Sequence, residues 1–343
     1  MIPGPPKRLS ITVRIAVAVA SWLVLISFLH AYLNGERPSP KQVLMGYMPV
    51  VANLAAVLVD HASKGSEVRF QAIKFGSFAE MGEAFRSGHI QVAFIIAPLA
   101  IALHEQGVPL KVVYIGNRHE STLVVKKDSP YKSLLDMTGK TVAVPIRYSG
   151  HLLALKRYLR EHGLDAEAIR TVEICPPDMP AALAAGGIDG YFVGEPFASK
   201  AIASGVGRRL LDAEDIWPKF ICNLMIVRED LIQSHPDWVG ALTAAAVKSG
   251  FWTQSHIREA EELVCQYWGQ DFSVVSYAFS NPPDRFRFDL YLPVAGELEE
   301  IAQEMRKSGL MQGQVDVRQM MEDGFARSVK VESVGSLGEI VAR

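Results

Sequence analysis

Residues 141–151 read Thr-Val-Ala-Val-Pro-Ile-Arg-Tyr-Ser-Gly-His, and the amphipathic segment Leu152–His162 follows at once. This stretch predicts a short buried strand, a polar turn and a helix that ends before a glycine. Further along, a small-residue helix at Met179–Ala185 leads into a strand at Ile188–Val193 and then into Gly194-Glu195-Pro196. A strand that turns directly into a helix presents backbone N–H groups at the helix N-terminus, an arrangement that binds anions.

The pattern occurs twice, because the sequence resembles itself when it is shifted by 98 positions. The pairs that match under this shift include Leu54 with Leu152, Gly65 with Gly163, Gly88 with Gly186, Phe94 with Phe192, and Pro98 with Pro196. Glycines recur where a helix ends or a turn needs positive φ, and apolar residues recur where the same faces are buried. Chance similarity of two ordinary βαβ stretches is one explanation. The alternative is two lobes of like topology, with both helix N-termini directed into the cleft between them.

Composition limits the classes of protein to which this chain can belong. A chain of 343 residues can hold about two domains of roughly 150 residues each. Its apolar content of 49% suits a globular core, and its formal net charge of −2 gives no indication of a nucleic-acid partner. Cys175, Cys222 and Cys265 have no metal-type spacing, so no metal or cofactor is predicted. We expect these cysteines to be buried, and one disulfide between two of them remains open.

The N-terminus carries an export or membrane signal. Ile15–Leu33 is a nearly uninterrupted apolar run, preceded by the basic residues Lys7, Arg8 and Arg14. Its length is close to the ~20 residues that span a bilayer, and the basic flank places the N-terminus in the cytoplasm. Residues 1–36 are therefore a signal peptide or an uncleaved anchor, and the long apolar run favours the anchor. We expect the rest of the chain in the periplasm or at the cell surface.

Strands alternate with helices through most of the chain, which predicts parallel-rich α/β sheets flanked by helices. Ser121–Lys126 and Leu224–Arg228 are the expected crossover strands between lobes. Lobe 1 would then comprise residues 42–121 and 224–330, and lobe 2 residues 122–223. After lobe 2 the predicted helices are 235–255, 257–268, 290–308 and 318–327, with 272–279 ambiguous. We expect these helices to pack on lobe 1.

Three motifs resemble the periplasmic solute-binding proteins of ABC transporters. They are Gly46-Tyr47 after the first strand, Leu134-x-Asp136-x-x-Gly139-Lys140 before residues 141–144, and Gly194-Glu195-Pro196-Phe197. The chain is most similar to the subgroup that serves nitrate, sulfonates, taurine, bicarbonate and thiamine precursors (NMT1/THI5-like). This resemblance implies the two-lobe type II fold of periplasmic binding proteins. It further implies reversible binding of a small anionic or zwitterionic solute, which is delivered to ABC permease and ATPase subunits without any chemical step.

The candidate ligand contacts in lobe 2 lie on the turn after the strand at residues 141–144. Ser149 and the N–H groups of Gly150 and His151 would face an anion at the helix start. Arg147 would add a charge-assisted hydrogen bond, and Tyr148 would stack on the ligand or wall it off. An ordinary helix cap beside a solvated arginine is the alternative interpretation of the same turn.

Lobe 1 supplies the matching candidates. They are Tyr47 and Met48 on the first turn, Asn53 (which aligns with His151), Phe75 and Ser77 after the second strand, and Pro98, the equivalent of Pro196. Two further candidates lie near the crossovers. Glu195 at a strand end would meet a cation, amine or hydroxyl group of the ligand, and Asn223 would donate or accept a hydrogen bond. Structural roles at the hinge are the alternative for both residues.

Two other functions remain open at this point. A membrane-tethered ligand sensor or scaffold would also need an anchored two-lobe binder. A protein or enzyme of thiamine-pyrimidine metabolism would share the lobe topology, but those enzymes rely on a cysteine-rich segment that this chain lacks. We therefore predict a binding protein and not an enzyme. The residues leave the ligand undecided among a small oxyanion, a zwitterion such as taurine, and an aromatic pyrimidine.

Overall fold

The computed structural model describes Val13, Val17 and residues 19–27, 41–330 and 333–341. The chain divides into two units, Met1–Lys41 and Gln42–Arg343. In the first unit residues 19–27 are helical and their side chains are exposed, Trp22 among them. Within the described residues, no helix combines the length and the apolar character needed to cross a membrane. Of the membrane segment predicted at residues 15–33, Val17 and residues 19–27 lie within the described residues, and the rest lies outside them.

Two five-stranded sheets form the framework of the fold. The first contains, in the order β2-β1-β3-β10-β4, the strands β1 (Lys41–Tyr47), β2 (Val68–Lys74), β3 (Val92–Ile96), β4 (Leu110–Ile115) and β10 (Asn223–Arg228). The second contains, in the order β7-β6-β8-β5-β9, the strands β5 (Ser121–Lys126), β6 (Thr141–Val144), β7 (Arg170–Glu173), β8 (Gly190–Gly194) and β9 (Gly207–Asp212). β1 pairs with β3 in parallel, and β6 pairs in parallel with β7 and β8, whereas β10 and β5 run antiparallel to both of their neighbours.

Helices connect the strands, and the C-terminal third of the chain is mostly helical. They are α1 (Leu54–Ala62), α2 (Phe78–Arg86), α3 (Ala97–Glu105), α4 (Gly150–Glu161), α5 (Met179–Ala185), α6 (Phe197–Ala203), α7 (Ala213–Ile216), α8 (Glu229–Ser234), α9 (Pro236–Ser255), α10 (Ile257–Trp268), α11 (Phe272–Ser280), α12 (Ala295–Lys307) and α13 (Gly324–Arg327). Single 3-10 turns lie at Val51–Asn53, Leu134–Met137, Pro176–Asp178 and Leu337–Ile340. The predicted α/β alternation is therefore confirmed.

The two sheets share one topology, which accounts for the repeat in the sequence. β1, β2, β3 and β4 hold the same places in the first sheet as β6, β7, β8 and β9 in the second, with β10 corresponding to β5. β3 and β8 are separated by the repeat offset, since Val92–Ile96 becomes Gly190–Gly194. We call the first sheet with its connecting helices the first lobe, and the second sheet with its helices the second lobe. Residues 116–120 and 213–222 connect the lobes, and we call them the two connecting segments.

Alternating side chains of β3 pack into different apolar cores. Val92 and Phe94 join a core that reaches Trp252 of α9. Ala93 and Ile95 join a second core, which continues into the second lobe. A strand buried on both faces needs an unbroken apolar sequence, because successive side chains point to opposite sides of a sheet.

The Leu134–Gly139 motif forms a capped turn in front of β6. The Asp136 carboxylate accepts the N–H groups of Lys132 and Ser133, each at 2.8 Å, and these bonds hold the pKa of Asp136 below its ordinary value. Gly139 has φ +76°, a left-handed conformation that favours glycine. The motif therefore has a structural role that needs no ligand.

Two predicted helices differ from the structure. The helix predicted at residues 318–327 is limited to Gly324–Arg327, because the preceding backbone pairs with β4: Val112 N donates to Met320 O, and Glu322 N donates to Val112 O. The helix predicted at 290–308 begins only at Ala295, since a proline at position 293 disfavours helical geometry in the residue before it. The ambiguous segment at 272–279 is helical.

The cysteines are three free thiols, so none of the possible disulfides forms. Cys222 is buried as expected, but Cys175 is exposed and Cys265 is half-buried. The expectation of burial was therefore wrong for Cys175, which lies in the turn after β7.

Candidate functional site

The lobes touch at the loops that follow β1 and β8. Val51 N donates a hydrogen bond of 2.8 Å to the carbonyl oxygen of Glu195. Gly116 of the first connecting segment lies against this contact, and a Cβ atom there would overlap the carbonyl oxygen of Ala52. The floor of the cleft is thus built from a helix start, a connecting segment and the loop after β8, all in direct contact.

Two buried polar pairs occupy equivalent places in the lobes. In the first lobe, Asn223 Nδ2 donates to Asn53 Oδ1 at 2.6 Å. In the second, His151 Nε2 lies 2.9 Å from Ser121 Oγ. Asn53 and His151 are related by the repeat, while Asn223 and Ser121 each begin the antiparallel strand of their sheet. Each lobe therefore ties the start of its first long helix to its antiparallel strand.

Each of these pairs has one buried atom with no hydrogen-bond partner in the described part of the chain. The atoms are Asn223 Oδ1 and His151 Nδ1. Buried polar atoms in native proteins are normally bonded, and water or a ligand commonly supplies the partner. The floor of the cleft therefore has unused hydrogen-bonding capacity on both sides.

The N-terminus of α4 is enclosed by the second connecting segment. Ser149 Oγ accepts the N–H of Leu152 at 3.3 Å and so caps the helix. Gly150 is packed so tightly that a Cβ atom there would lie 2.9 Å from the Phe220 ring. The His151 ring contacts Phe192 and Phe220, with centroids 5.0 and 5.5 Å away. This burial lowers the pKa of His151 to about 3 and keeps its ring neutral.

Glu195 is fully buried and folds back on α6. Its Oε2 accepts the N–H of Ser199 at 2.8 Å, while Oε1 has no partner among the described residues. Burial raises the pKa of Glu195 to about 7. The Glu195 N–H also bonds Glu120 Oε2 at 3.0 Å, and burial raises the pKa of Glu120 as well. Two carboxyl groups are thus held close together behind the cleft floor.

A cavity of about 430 Å³ lies between the lobes at the outer end of the cleft. From the first lobe α2 and α3 line it, with Glu83 and Arg86 joined in an exposed ion pair of 2.7 Å. From the second lobe come Arg147, Tyr148 and Glu173. The Arg147 guanidinium lies 5.1 Å from the Tyr148 ring centroid and has no ion pair in the described chain. This cavity is where a solute can contact charged groups of both lobes.

The structure separates the predicted site residues into two groups. Those placed in or beside the buried floor are Met48, Asn53, Pro98, Ser149, Gly150, His151, Glu195 and Asn223. Arg147 and Tyr148 line the outer cavity, Phe75 lines a neighbouring groove of about 630 Å³, and Ser77 caps α2 by accepting the N–H of Ala79 at 3.2 Å. Their role in binding stays a prediction for both groups.

Tyr47 lies apart from both groups. Its hydroxyl donates to the carbonyl oxygen of Tyr267 at 3.3 Å, and burial, with the nearby Asp60, raises its pKa to about 12. Tyr47 therefore joins β1 to helix α10.

Sequence reasoning missed several polar residues of the cleft. Glu120 and Ser121 belong to the floor, and Arg86 and Glu173 belong to the outer cavity. The repeat gives no signal for Ser121, because the shift of 98 positions places residue 121 on Lys219; its correspondence with Asn223 follows only from the strand order of the sheets. Arg86 and Glu173 lie on an exposed helix face and at a strand end, and such charged positions occur throughout a protein surface.

A model of the NMT1-like family matches residues 36–267, about two thirds of the chain. The chain belongs to this family. The predicted family resemblance is thereby confirmed.

Sequence similarity extends to the taurine-binding periplasmic protein of Escherichia coli K12, at 32% identity over 179 residues. That match covers 51% of this chain, and it spans only about half (54%) of the relative's length. Structural similarity extends to the periplasmic aliphatic sulphonate-binding protein of E. coli, with a TM-score of 0.70 at 22% identity over 82% of this chain and 97% of that one. The nitrate-binding protein of Synechocystis PCC 6803 gives a TM-score of 0.72 at 16% identity, covering 85% and 89%. These structures share the two-sheet fold.

Proposed function

We propose that this NMT1-like chain is the extracytoplasmic substrate-binding component of an ABC importer. Residues 42–121 and 224–330 form one lobe in this proposal, and residues 122–223 form the other. A solute binds between the lobes and is passed to permease and ATPase subunits. The N-terminal segment at residues 15–33 anchors the protein to the membrane. The observation that carries the proposal is the cavity between the lobes, to which each lobe contributes an arginine and a glutamate.

The charges of this cavity favour a zwitterionic solute. Glu83 and Arg86 neutralise each other, with 2.7 Å between the charged atoms. Arg147 and Glu173 remain on the second lobe without ion pairs in the described chain. A solute with a sulfonate group at one end and an ammonium group at the other would match both. A bare anion would match only Arg147, so we propose an aminosulfonate of the size of taurine.

The protonated thiol of Cys222, at the cleft floor, supports a binding role without a chemical step. Cys222 lies at the cleft floor, where burial beside Glu120 raises the pKa of its thiol well above the ordinary value. A cysteine nucleophile reacts as the thiolate, which requires a lowered pKa. The groups around the floor therefore suit holding a ligand better than attacking one.

Replacing Arg147 with glutamine is expected to weaken aminosulfonate binding by about tenfold or more, because a hydrogen bond to a charged group contributes about 1.5–3 kcal/mol. The measurement is thermal unfolding of the full chain with taurine, methanesulfonate, nitrate or bicarbonate. A ligand at 100 times its Kd stabilises the protein by about 2.7 kcal/mol. Taurine should give the largest shift at equal concentration.

Arg258 provides the matched control, since its side chain is 84% exposed on α10 and its one ion pair among the described residues is with Glu262 of the same helix. Arg258→Gln should bind taurine as the unchanged protein does. The proposal is wrong if none of the four solutes stabilises the chain, and Arg147 is not a contact if Arg147→Gln and Arg258→Gln bind equally well.

A further inference from the structure

Helix α12 lies against helices of both lobes. It packs on α3 of the first lobe and on α4 of the second. Its apolar residues Leu298, Ile301 and Met305 are buried in the core that also contains Leu99 and Leu103 of α3. The same core includes apolar residues of α4, so this packing joins α12 to both lobes. The backbone on either side of α12 is bonded to β4 of the first lobe, because Ile115 N donates to the carbonyl oxygen of Tyr291 and Val112 N donates to that of Met320. These bonds assign α12 to the first lobe, as the sequence predicted for the C-terminal helices.

Three acidic residues of α12 bond arginines of the second lobe and of the first connecting segment. Glu300 accepts a hydrogen bond from Arg157 of α4, and Glu304 accepts one from Arg160, one turn further along. Glu297 accepts one from Arg118 of the first connecting segment at 2.6 Å. Glu297, Glu300 and Glu304 are spaced by three and four residues, so they share one side of the helix.

The two arginines on α4 are held in this contact differently, Arg157 by several partners and Arg160 by one among the described residues. Arg157 also pairs with Glu161 at 2.8 Å, and its guanidinium lies 4.8 Å from the Trp217 ring centroid. Arg160 has a buried Nη1 atom with no partner in the described chain, so its guanidinium depends on Glu304. We call this contact between α12 and α4 the seam; it is made of charged groups and lies beside both connecting segments.

We infer that Arg157 and Arg160 are positioning residues for ligand binding, because their ion pairs with α12 hold the lobes together. When the lobes part, α12 stays with the first lobe and separates from α4. Parting the charged groups of the seam lets water solvate both sides, whereas parting α12 from the first lobe would break the backbone hydrogen bonds of residues 291 and 320 to β4. The ion pairs therefore set the share of molecules with the lobes together, and with it the apparent affinity.

This inference rests on the proposed function only for its effect on affinity, so its first test needs no ligand. Spin labels on Cys175 of the second lobe and on Ser66→Cys of the first, in a Cys265→Ser background, report the distance between lobes. Arg157→Glu places two acids face to face and should lengthen that distance. Arg157→Glu combined with Glu300→Arg restores an opposite-charge pair and should return the distance to its original value.

The matched control is the Arg258→Glu variant, whose ion pair lies within α10 and should leave the label distance unchanged. Arg160→Gln gives a second, milder lesion at the same seam and should lengthen the distance less than Arg157→Glu. For taurine binding, we expect Arg157→Glu to raise the Kd by about tenfold, in proportion to the loss of the closed form, and the double variant to recover it.

The inference is overturned if Arg157→Glu and Arg160→Gln leave the distance between labels unchanged, or if the charge-reversed pair fails to restore it. Failure of the proposed ligand has a different signature. In that case the variants would still change the distance between labels, while taurine, methanesulfonate, nitrate and bicarbonate would all leave it unchanged. If a ligand shortens the distance between labels but the Arg157 and Arg160 variants do not change it, the role of the seam is rejected and the proposed function still holds.

Discussion

Replacing Arg285 with methionine is expected to lower the free energy of unfolding by about 3–5 kcal/mol, the cost of leaving buried charges without their partner. The guanidinium is buried behind the cleft floor. Nε donates to Glu214 at 2.8 Å, and Nη2 lies 3.0 Å from an Asp212 oxygen. Nη1 donates to Thr122 Oγ1 at 2.9 Å. Methionine fills similar space but leaves Glu214 without its ion pair and Asp212 with Arg209 alone.

Urea unfolding at pH 7 and pH 5 would measure this loss. Burial already raises the pKa of Asp212, and Arg285 opposes that rise. Without the arginine the carboxylate protonates more readily, so the loss should be smaller at pH 5 than at pH 7. Arg287→Met is the matched control, because its pair with Asp289 is 44% exposed on both sides and should contribute less than about 1 kcal/mol. Equal losses in the two variants would contradict the assignment of a buried ionic network to Arg285.

Local patterns in the sequence carry most of the fold. β3 could be predicted because a strand buried on both faces must be apolar at every position, and Val92–Ile96 is. The repeat could be detected because equivalent turns require glycine: Gly88 and Gly186 both have positive φ, at +82° and +78°. These signals depend on residues that are close in sequence, so they are visible without a structure.

The direction of the site side chains could not be predicted in the same way. Tyr47 bonds a carbonyl group 220 residues away, and Arg285 bonds Thr122 across 163 residues. Glu195 lies at a strand end, as predicted, but its carboxylate bonds the backbone of Ser199. A helix-capping bond and a ligand contact need the same residue type in the same place, and only the packing around them separates the two.

Replacing His151 with asparagine should make the protein more resistant to acid relative to the unchanged chain. The folded protein holds the His151 pKa at about 3, whereas an unfolded histidine titrates near 6.5. As the pH falls below 6.5 the unfolded state takes the proton first, so this residue costs about 1.4 kcal/mol of stability per pH unit. Asparagine has no such titration, and Asn53 shows that it fits the equivalent place in the first lobe.

Glu195 should change the free energy of unfolding in the opposite direction to His151 over nearly the same pH range. Its pKa is about 7 in the folded protein and 4.5 without burial, so the folded state takes the proton first as the pH falls from 7 to 4.5. Glu195 therefore adds stability on acidification, while His151 removes it. Between pH 6.5 and 4.5 the two effects largely cancel in the unchanged protein, each amounting to about 3 kcal/mol.

Urea unfolding of four proteins at pH 6.5, 5.5 and 4.5 separates the two residues. Relative to the unchanged chain, His151→Asn should gain stability toward pH 4.5, Glu195→Gln should lose it, and the double variant should differ from the unchanged chain by a constant amount. Other titrating groups contribute equally to all four, so they drop out of these differences. His162→Asn, at an exposed position after α4, serves as the control and should run parallel to the unchanged chain. If the stability of His151→Asn also runs parallel to that of the unchanged chain, the histidine ring is solvated and the cleft floor is open to water. If the stability of Glu195→Gln runs parallel instead, the Glu195 carboxyl group is ionised in the folded state and the buried acid pair behind the cleft is absent.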